Sequence, residues 1–156
     1  MSRPALRPWL RAAGLAGLVL AADQGAKAAV RAHLVVGEQV DVLGPLQLTL
    51  AYNRGIAFGL AGGAGVTLVV FTAVALGVVA WLFAREARRP GMWVAAGLLA
   101  GGALGNLADR VRAGQVTDFV DLPPWPPFNL ADVAITVGVG LMVVLLLRAE
   151  GRGRGA

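Results

Sequence analysis

The chain has 156 residues, of which 57% are hydrophobic and 15% charged, where a soluble domain of this size carries about 25% charged residues. It has no Cys, and its only Ser, Lys and His are Ser2, Lys27 and His33, which excludes disulfides, thiolate chemistry, Ser-His, Ser-Lys and Cys-His hydrolysis and a His-based zinc centre. The net charge of +5 does not indicate nucleic acid, because the arginines sit in short patches between apolar runs without aromatic interleaving.

The first apolar run, Ala12 to Ala22, is short and follows Arg3, Arg7 and Arg11. That charge pattern also fits a cleavable signal peptide, but no small-residue cleavage site follows cleanly. A span from about 9 to 29 reaches full length if Asp23 and Lys27 are accommodated. They lie four apart with the acid first, the favourable order for an intrahelical pair. His33 reads as a surface residue. From Leu34 to Asn53 a Gly44-Pro45 turn precedes an alternation, with Leu46, Leu48 and Leu50 on one face and Gln47 and Thr49 on the other. A period of two predicts a short strand, part of a small sheet resting on the membrane.

The run from about 65 to 84 has no charge, and its twenty residues make about 30 Å of helix, enough to cross the hydrocarbon core. A further span runs from about 91 to 108, interrupted only by Asn106. Its Gly97, Gly101 and Gly105 recur on one face, a spacing suited to close helix packing in lipid. The stretch from Arg110 to Asn129 reads as a loop with two Pro-Pro pairs around Trp125, a candidate interfacial anchor. The last span, about 130 to 147, carries Asp132 at its start, with Asn129 as its natural N-cap.

The predicted fold is therefore an all-α integral membrane protein, with four transmembrane helices and a small extracytoplasmic β-sheet. Residues 1–150 form one domain, with extracytoplasmic segments at about 30–64 and 109–129 and a disordered tail at 151–156. With both termini cytoplasmic, nine of the fourteen basic residues lie inside (Arg3, Arg7, Arg11, Arg85, Arg88, Arg89, Arg148, Arg152 and Arg154). Seven of the nine acids then face outward (Asp23, Glu38, Asp41, Asp109, Asp118, Asp121 and Asp132). The split satisfies the positive-inside rule.

With nucleophilic side chains this scarce, any hydrolytic chemistry must rest on carboxylates. All three Asn residues, Asn53, Asn106 and Asn129, fall near the outer ends of spans with Asp109, Asp118 and Asp132. Polar residues at that depth are costly and mark a site or a structural pair. Asp132, two residues into an apolar run, is the leading candidate, since an unpaired carboxylate there costs several kcal/mol. The bland alternative makes it part of the helix cap. A water-activating pair needs a second acid, and composition leaves Asp109, Asp118 and Asp121 open.

Four blocks in order resemble the signal peptidase II (lipoprotein signal peptidase) family. They are Asp23-Gln24-Gly25-Ala26-Lys27; Asn53-Arg54-Gly55-Ile56-Ala57-Phe58-Gly59; Gly101 to Arg110 followed by Val116-Thr117-Asp118-Phe119; and Phe128-Asn129-Leu130-Ala131-Asp132. Two departures stand out. Ala26 occupies a position where Thr is usual, and the thirteen residues between Asp118 and Asp132 are a short connection. The resemblance implies an aspartic endopeptidase of the bacterial inner membrane whose catalytic residues are Asp118 and Asp132. Asn53, Gly55, Asn106, Asp109, Arg110 and Asn129 would line or brace the site, with Asp23 and Lys27 bracing it. For Asp109 and Arg110, an ion pair at the outer end of the third span is an equal alternative.

The implied substrate is a prolipoprotein cut just before a Cys that bears diacylglycerol. No cofactor, metal or nucleic acid is expected, membrane lipids surround the chain, and it acts as a monomer at the outer face. Ile56 to Leu60 is a candidate lid or membrane-surface helix. The rival readings are a small cation- or proton-coupled transporter subunit and a non-catalytic assembly subunit.

Overall fold

The structure is a computed structural model in which residues 6–55 and 64–153 are described. Among these residues, four helices, α1 (Leu6–His33), α2 (Ala64–Glu86), α3 (Met92–Ala113) and α4 (Leu130–Gly153), are joined by three strands, β1 (Gln39–Leu43), β2 (Leu46–Asn53) and β3 (Val116–Asp121). The candidate lid at Ile56 to Leu60 lies outside the described residues. The helix of α4 is described through Gly153, so the expected tail is helical over its first three residues, and 154–156 lie outside the described set.

α1 runs 28 residues, longer at both ends than the apolar run alone predicts. Asp23 and Lys27 do form the intrahelical pair, at 2.8 Å, with neither side chain exposed at all. α3 is the central helix, packed between α1 and α4. It is delimited by two glycines in the left-handed region, Gly91 (φ 83°) and Gly114 (φ 69°), and the Gly114 N–H closes its last turn on the Arg110 carbonyl at 2.9 Å. At the end away from the sheet, Trp9 meets Phe83 edge to face at 4.7 Å. Below them lies a core of Ala12, Phe83, Met92, Ala95, Ala96, Leu99 and Met142.

Two helices, over Thr67–Glu86 and Leu130–Arg148, are long and apolar enough to cross a membrane by length and composition. Their exposed faces carry Phe71, Val74, Trp81, Val137, Val144 and Leu147, an apolar surface that suits lipid better than water. α1 and α3 bury Asp23, Lys27, Asn106 and Asp109, which lowers their apolar content, while Arg7, Arg11, Arg31 and Arg112 are exposed toward the helix ends.

The sheet is antiparallel in the order β1-β2-β3. The hairpin turns at Gly44-Pro45 as predicted, but the alternation in β2 is imperfect: Thr49 and Leu50 are both buried, because β2 is the central strand. A larger difference concerns the stretch expected to be a loop. Arg110–Ala113 completes α3, and Val116–Asp121 is a strand. Five of its six residues are buried, so it has no inside-outside alternation to read. After β3 the Pro-rich connection doubles back. The Phe128 carbonyl accepts from the N–H groups of Phe119 and Val120 at 2.9 and 2.8 Å, and the Phe128 N–H donates to Val120 at 2.9 Å. Asn129 and the start of α4 are thereby seated against Asp118.

Candidate active site

The sequence nominated three acids as partner to Asp132, and the fold gives each a different environment. Asp121 accepts a hydrogen bond from Gln39 at 2.8 Å, across the sheet. Asp109 is engaged by Lys27 at 3.1 Å, by the Thr117 N–H at 3.0 Å and by Gln24 at 3.1 Å. Asp118 alone of the three shares Asn129 with Asp132. The Asn129 amide donates to Asp118 Oδ1 at 2.6 Å, while Asn129 and Asp132 cap each other. The Asp132 N–H donates to Asn129 Oδ1 at 3.0 Å, and the Asn129 N–H to Asp132 Oδ2 at 3.1 Å. This is a capping box with Asp at the third helical position, so the N-cap that binds Asp132 also touches Asp118.

Three asparagines orient the two carboxylates. Asn106 donates to Asp132 Oδ1 at 2.8 Å. Register places Ala51 opposite Asp118 and Asn53 opposite Val116, so Asn53 and Asp118 are diagonal neighbours on one face. The Asn53 side chain hydrogen-bonds Asp118. Its Oδ1 is occupied by the Gly55 N–H at 2.8 Å, which leaves its NH2 for the carboxylate. Gly55 needs to be glycine on two counts. Its φ of 67° lies in the left-handed region, and a Cβ there would run into Leu68 of α2.

Burial pushes the Asp118 carboxyl up to about 6, and the charge of Asp132 adds to the effect, while the hydrogen bonds from Asn129 and Asn53 oppose it. Asp118 is 3% exposed, whereas Asp132 is half-buried at the end of a groove of about 730 Å³ between α2, α3 and α4. The groove is apolar along Leu68, Leu76, Ile135 and Met142, and polar only at Thr72, Asn106, Arg110 and Asp132. Among the described residues, no three His, Asp or Glu side chains converge as a metal ion would require.

The ion pair considered between Asp109 and Arg110 is not formed. Asp109 pairs with Lys27, and Arg110 lines the groove beside Asn106 and Asp132. His33 is exposed, with a ring nitrogen near the Ala29 carbonyl. Three residues not singled out from sequence complete the shell. Gln24 bridges Asp109 and the Gly105 carbonyl, both at 3.1 Å, and Arg31 donates to the Thr117 hydroxyl at 2.9 Å. Asp23, Lys27 and Arg31 follow one another at intervals of four, a single helix face. That spacing was the available signal for Arg31.

The model of the family described as "Signal peptidase (SPase) II" matches residues 15–148. The chain belongs to the signal peptidase II family. The match takes in both strands of the candidate site, all of α2 and α3, and most of α1 and α4. Among similar proteins, the lipoprotein signal peptidase of Pelotomaculum thermopropionicum is 45% identical over 132 residues, covering 83% of this chain and 87% of that one. That of Moorella thermoacetica is 44% identical over 143 residues, covering 90% and 95%. A bacterial membrane enzyme solved at 2.3 Å by the in meso method superposes with a TM-score of 0.82 at 32% identity, covering 90% of each chain. These are peptidases and membrane enzymes, and the transporter reading gains no support from them.

Proposed function

We propose that this chain is an aspartic endopeptidase that removes signal peptides from prolipoproteins, cutting before a Cys that carries diacylglycerol, with Asp118 and Asp132 as its dyad. The observation that carries the reading is the shared Asn129, which ties the two carboxylates into one hydrogen-bonded unit at the end of an apolar groove.

In this mechanism the pair holds one proton, and Asp118 keeps it because burial disfavours its charge. Asp132, held by two N–H donors, takes a proton from a water lying between the carboxyls. The water oxygen attacks the scissile carbonyl carbon while the Asp118 proton stabilises the developing oxyanion. Collapse of the tetrahedral intermediate breaks the C–N bond, and the proton taken from water passes to the leaving amine. Asn53, Gly55, Asn106 and Asn129 set the carboxylate orientations. Asp23, Lys27 and Asp109 brace them, and Arg110 faces the bound substrate.

The groove fits a substrate delivered sideways from the bilayer, signal helix and acyl chains first. The wider reading is a monomer of four spans in the bacterial inner membrane, at about 9–29, 65–84, 91–108 and 130–147. Both termini are cytoplasmic, and the site and sheet lie at the outer face. Supporting this, the dyad, the sheet and the paired acids lie at one end, while Arg11 over Trp93 and Arg85 over Trp81 lie at the other.

Purified protein in detergent is expected to cut a diacylglyceryl-modified prolipoprotein and to leave the unmodified precursor intact. Equal cleavage of both would remove the lipid from the specificity, and no cleavage of either would reject the reading.

The pH dependence has a definite sign. The folded-state value of about 6 lies above the ordinary carboxylate value of 3.8. Ionising Asp118 therefore costs stability, a contribution fully present below about 3.8 and lost as pH rises through about 6. The singly protonated dyad disappears over the same range. In the free enzyme kcat/KM should fall about tenfold per pH unit above about 6, and bound substrate that excludes water should move the limb in kcat upward. A kcat/KM that rises through that range would contradict the assignment.

A further inference from the structure

Lys27 takes no part in the chemistry above, yet it is the most enclosed cation among the described residues, with no exposed surface. Its ammonium has three partners: Asp23 Oδ2 at 2.8 Å, Asp109 Oδ2 at 3.1 Å and Asn106 Oδ1 at 3.0 Å. An ammonium has three N–H bonds and accepts nothing, so every donor is committed. Burying one cation with two acids is a poor way to gain stability, because desolvation offsets the Coulomb attraction. The third partner suggests a different role.

Because Lys27 can only donate, the Asn106 atom facing it must be the amide oxygen. The NH2 then faces Asp132, to which it donates at 2.8 Å. A flipped amide would set NH2 against ammonium and oxygen against carboxylate, two repulsive contacts at once. One other group donates to Asn106 Oδ1, the Asn129 NH2 at 3.1 Å. That NH2 also faces Asp118 at 2.6 Å and the Thr117 carbonyl at 3.3 Å, three acceptors for two hydrogens, so its hold on Asn106 is partial. We infer that Lys27 is a positioning residue, which fixes the Asn106 amide and through it the Asp132 carboxylate. The inference rests on the reading of Asp132 as half of the dyad.

The test is a pair of double-mutant cycles on the full chain, read as kcat and KM with diacylglyceryl-modified prolipoprotein. Lys27→Met and Asn106→Ala should each lower kcat about 10- to 100-fold with KM within about threefold. The double variant should fall no more than about threefold below the lower single. Lys27→Met combined with Asn53→Ala, which acts on the other carboxylate, should show multiplied losses. Equal coupling in both cycles, or multiplied losses in both, would mean general loosening and overturn the inference.

Lys27→Met leaves Asp23 without its cation and Asp109 with only Arg31 at 4.0 Å, and it can fail to fold, so Lys27→Met/Asp23→Asn is measured beside Asp23→Asn alone. The pair keeps the cluster of residues 23, 27 and 109 at a net charge of −1. It should lose at least about tenfold in kcat relative to Asp23→Asn, and parity between the two would overturn the inference. Side-chain amide NMR separates this question from the peptidase reading. The Asn106 NH2 resonance, assigned by its loss in Asn106→Ala, should shift in Lys27→Met/Asp23→Asn relative to Asp23→Asn while that of Asn53 stays. An unmoved Asn106 resonance overturns the inference even if cleavage is normal. A wild type that cuts nothing defeats the peptidase reading and leaves the resonance test standing.

Discussion

Asp118→Asn and Asp132→Asn should each lower cleavage of a lipid-modified prolipoprotein by roughly 10⁴-fold, while both proteins remain folded. Asn copies the shape of Asp but can neither take a proton from water nor give one to an oxyanion. With both functions drawn from a single shared proton, either substitution removes the cycle, and the double variant should be little worse than the singles. Thermal unfolding provides an independent check, because the two substitutions act oppositely on stability. Asp118 is buried and its ionisation is opposed, so a neutral amide there should leave the melting temperature unchanged or raise it at neutral pH. Asp132 receives N–H donors on both oxygens. An amide there must turn its NH2 toward one of those donors, at a cost of about 1–3 kcal/mol. Activity within about tenfold of wild type in Asp118→Asn would return the partner role to another acid. Of the remaining two, Asp109 is committed to Lys27 and Asp121 to Gln39.

Periodicity and the cost of burying polar groups make much of this arrangement legible in the sequence. Asn129 as N-cap and Asp132 in the first turn followed from an apolar run with a polar start, and the Asp23–Lys27 pair from a spacing of four in a run otherwise too short to span. β3 escaped because a strand covered on both faces carries no period of two, and Thr and Asp among its residues disguise it as a loop. The choice among three acids escaped composition and spacing, since it depends on strand register and on the fold-back of Phe128, both long-range; the family resemblance alone named Asp118. Lys27 was legible as the partner of Asp23. That it also reaches Asp109 and Asn106, 82 and 79 positions away, required knowing how α1 lies on α3.

How α1 lies on α3 is set by the glycine face, and Gly101→Leu should rank with the most disruptive apolar substitutions among the described residues. A Cβ at Gly101 would stand 2.7 Å from the Ala16 carbonyl oxygen and 2.7 Å from the Val19 Cβ; at Gly97 it would stand 2.9 Å from the Ala12 oxygen, and at Gly105 2.6 Å from Asp23 Oδ2. The obstacles at Gly97 and Gly101 include backbone atoms, which cannot rotate away, so a larger residue must push the helices apart. In lipid a buried Leu gains nothing over a lipid-facing one, and no hydrophobic term offsets the lost packing. Overpacking typically costs about 1–3 kcal/mol, and a full Leu side chain against backbone belongs at or beyond the upper end, against a total stability of about 5–15 kcal/mol. Gly101→Leu should therefore accumulate poorly and melt well below wild type, with Gly101→Ala intermediate. Activity should fall further than stability alone predicts, because separating α1 from α3 also pulls Asp23 from the Ala131 N–H it now holds at 3.0 Å and Lys27 from Asn106. Gly140→Leu is the control, on the exposed face of α4 with no atom within 4 Å of its added Cβ. It should match wild type or exceed it slightly, since Gly is the poorer helix former by about 1 kcal/mol. Equal yields and melting temperatures for the two Leu variants would mean that α1 and α3 do not pack through these glycines, and the support proposed for the dyad would have to come from elsewhere.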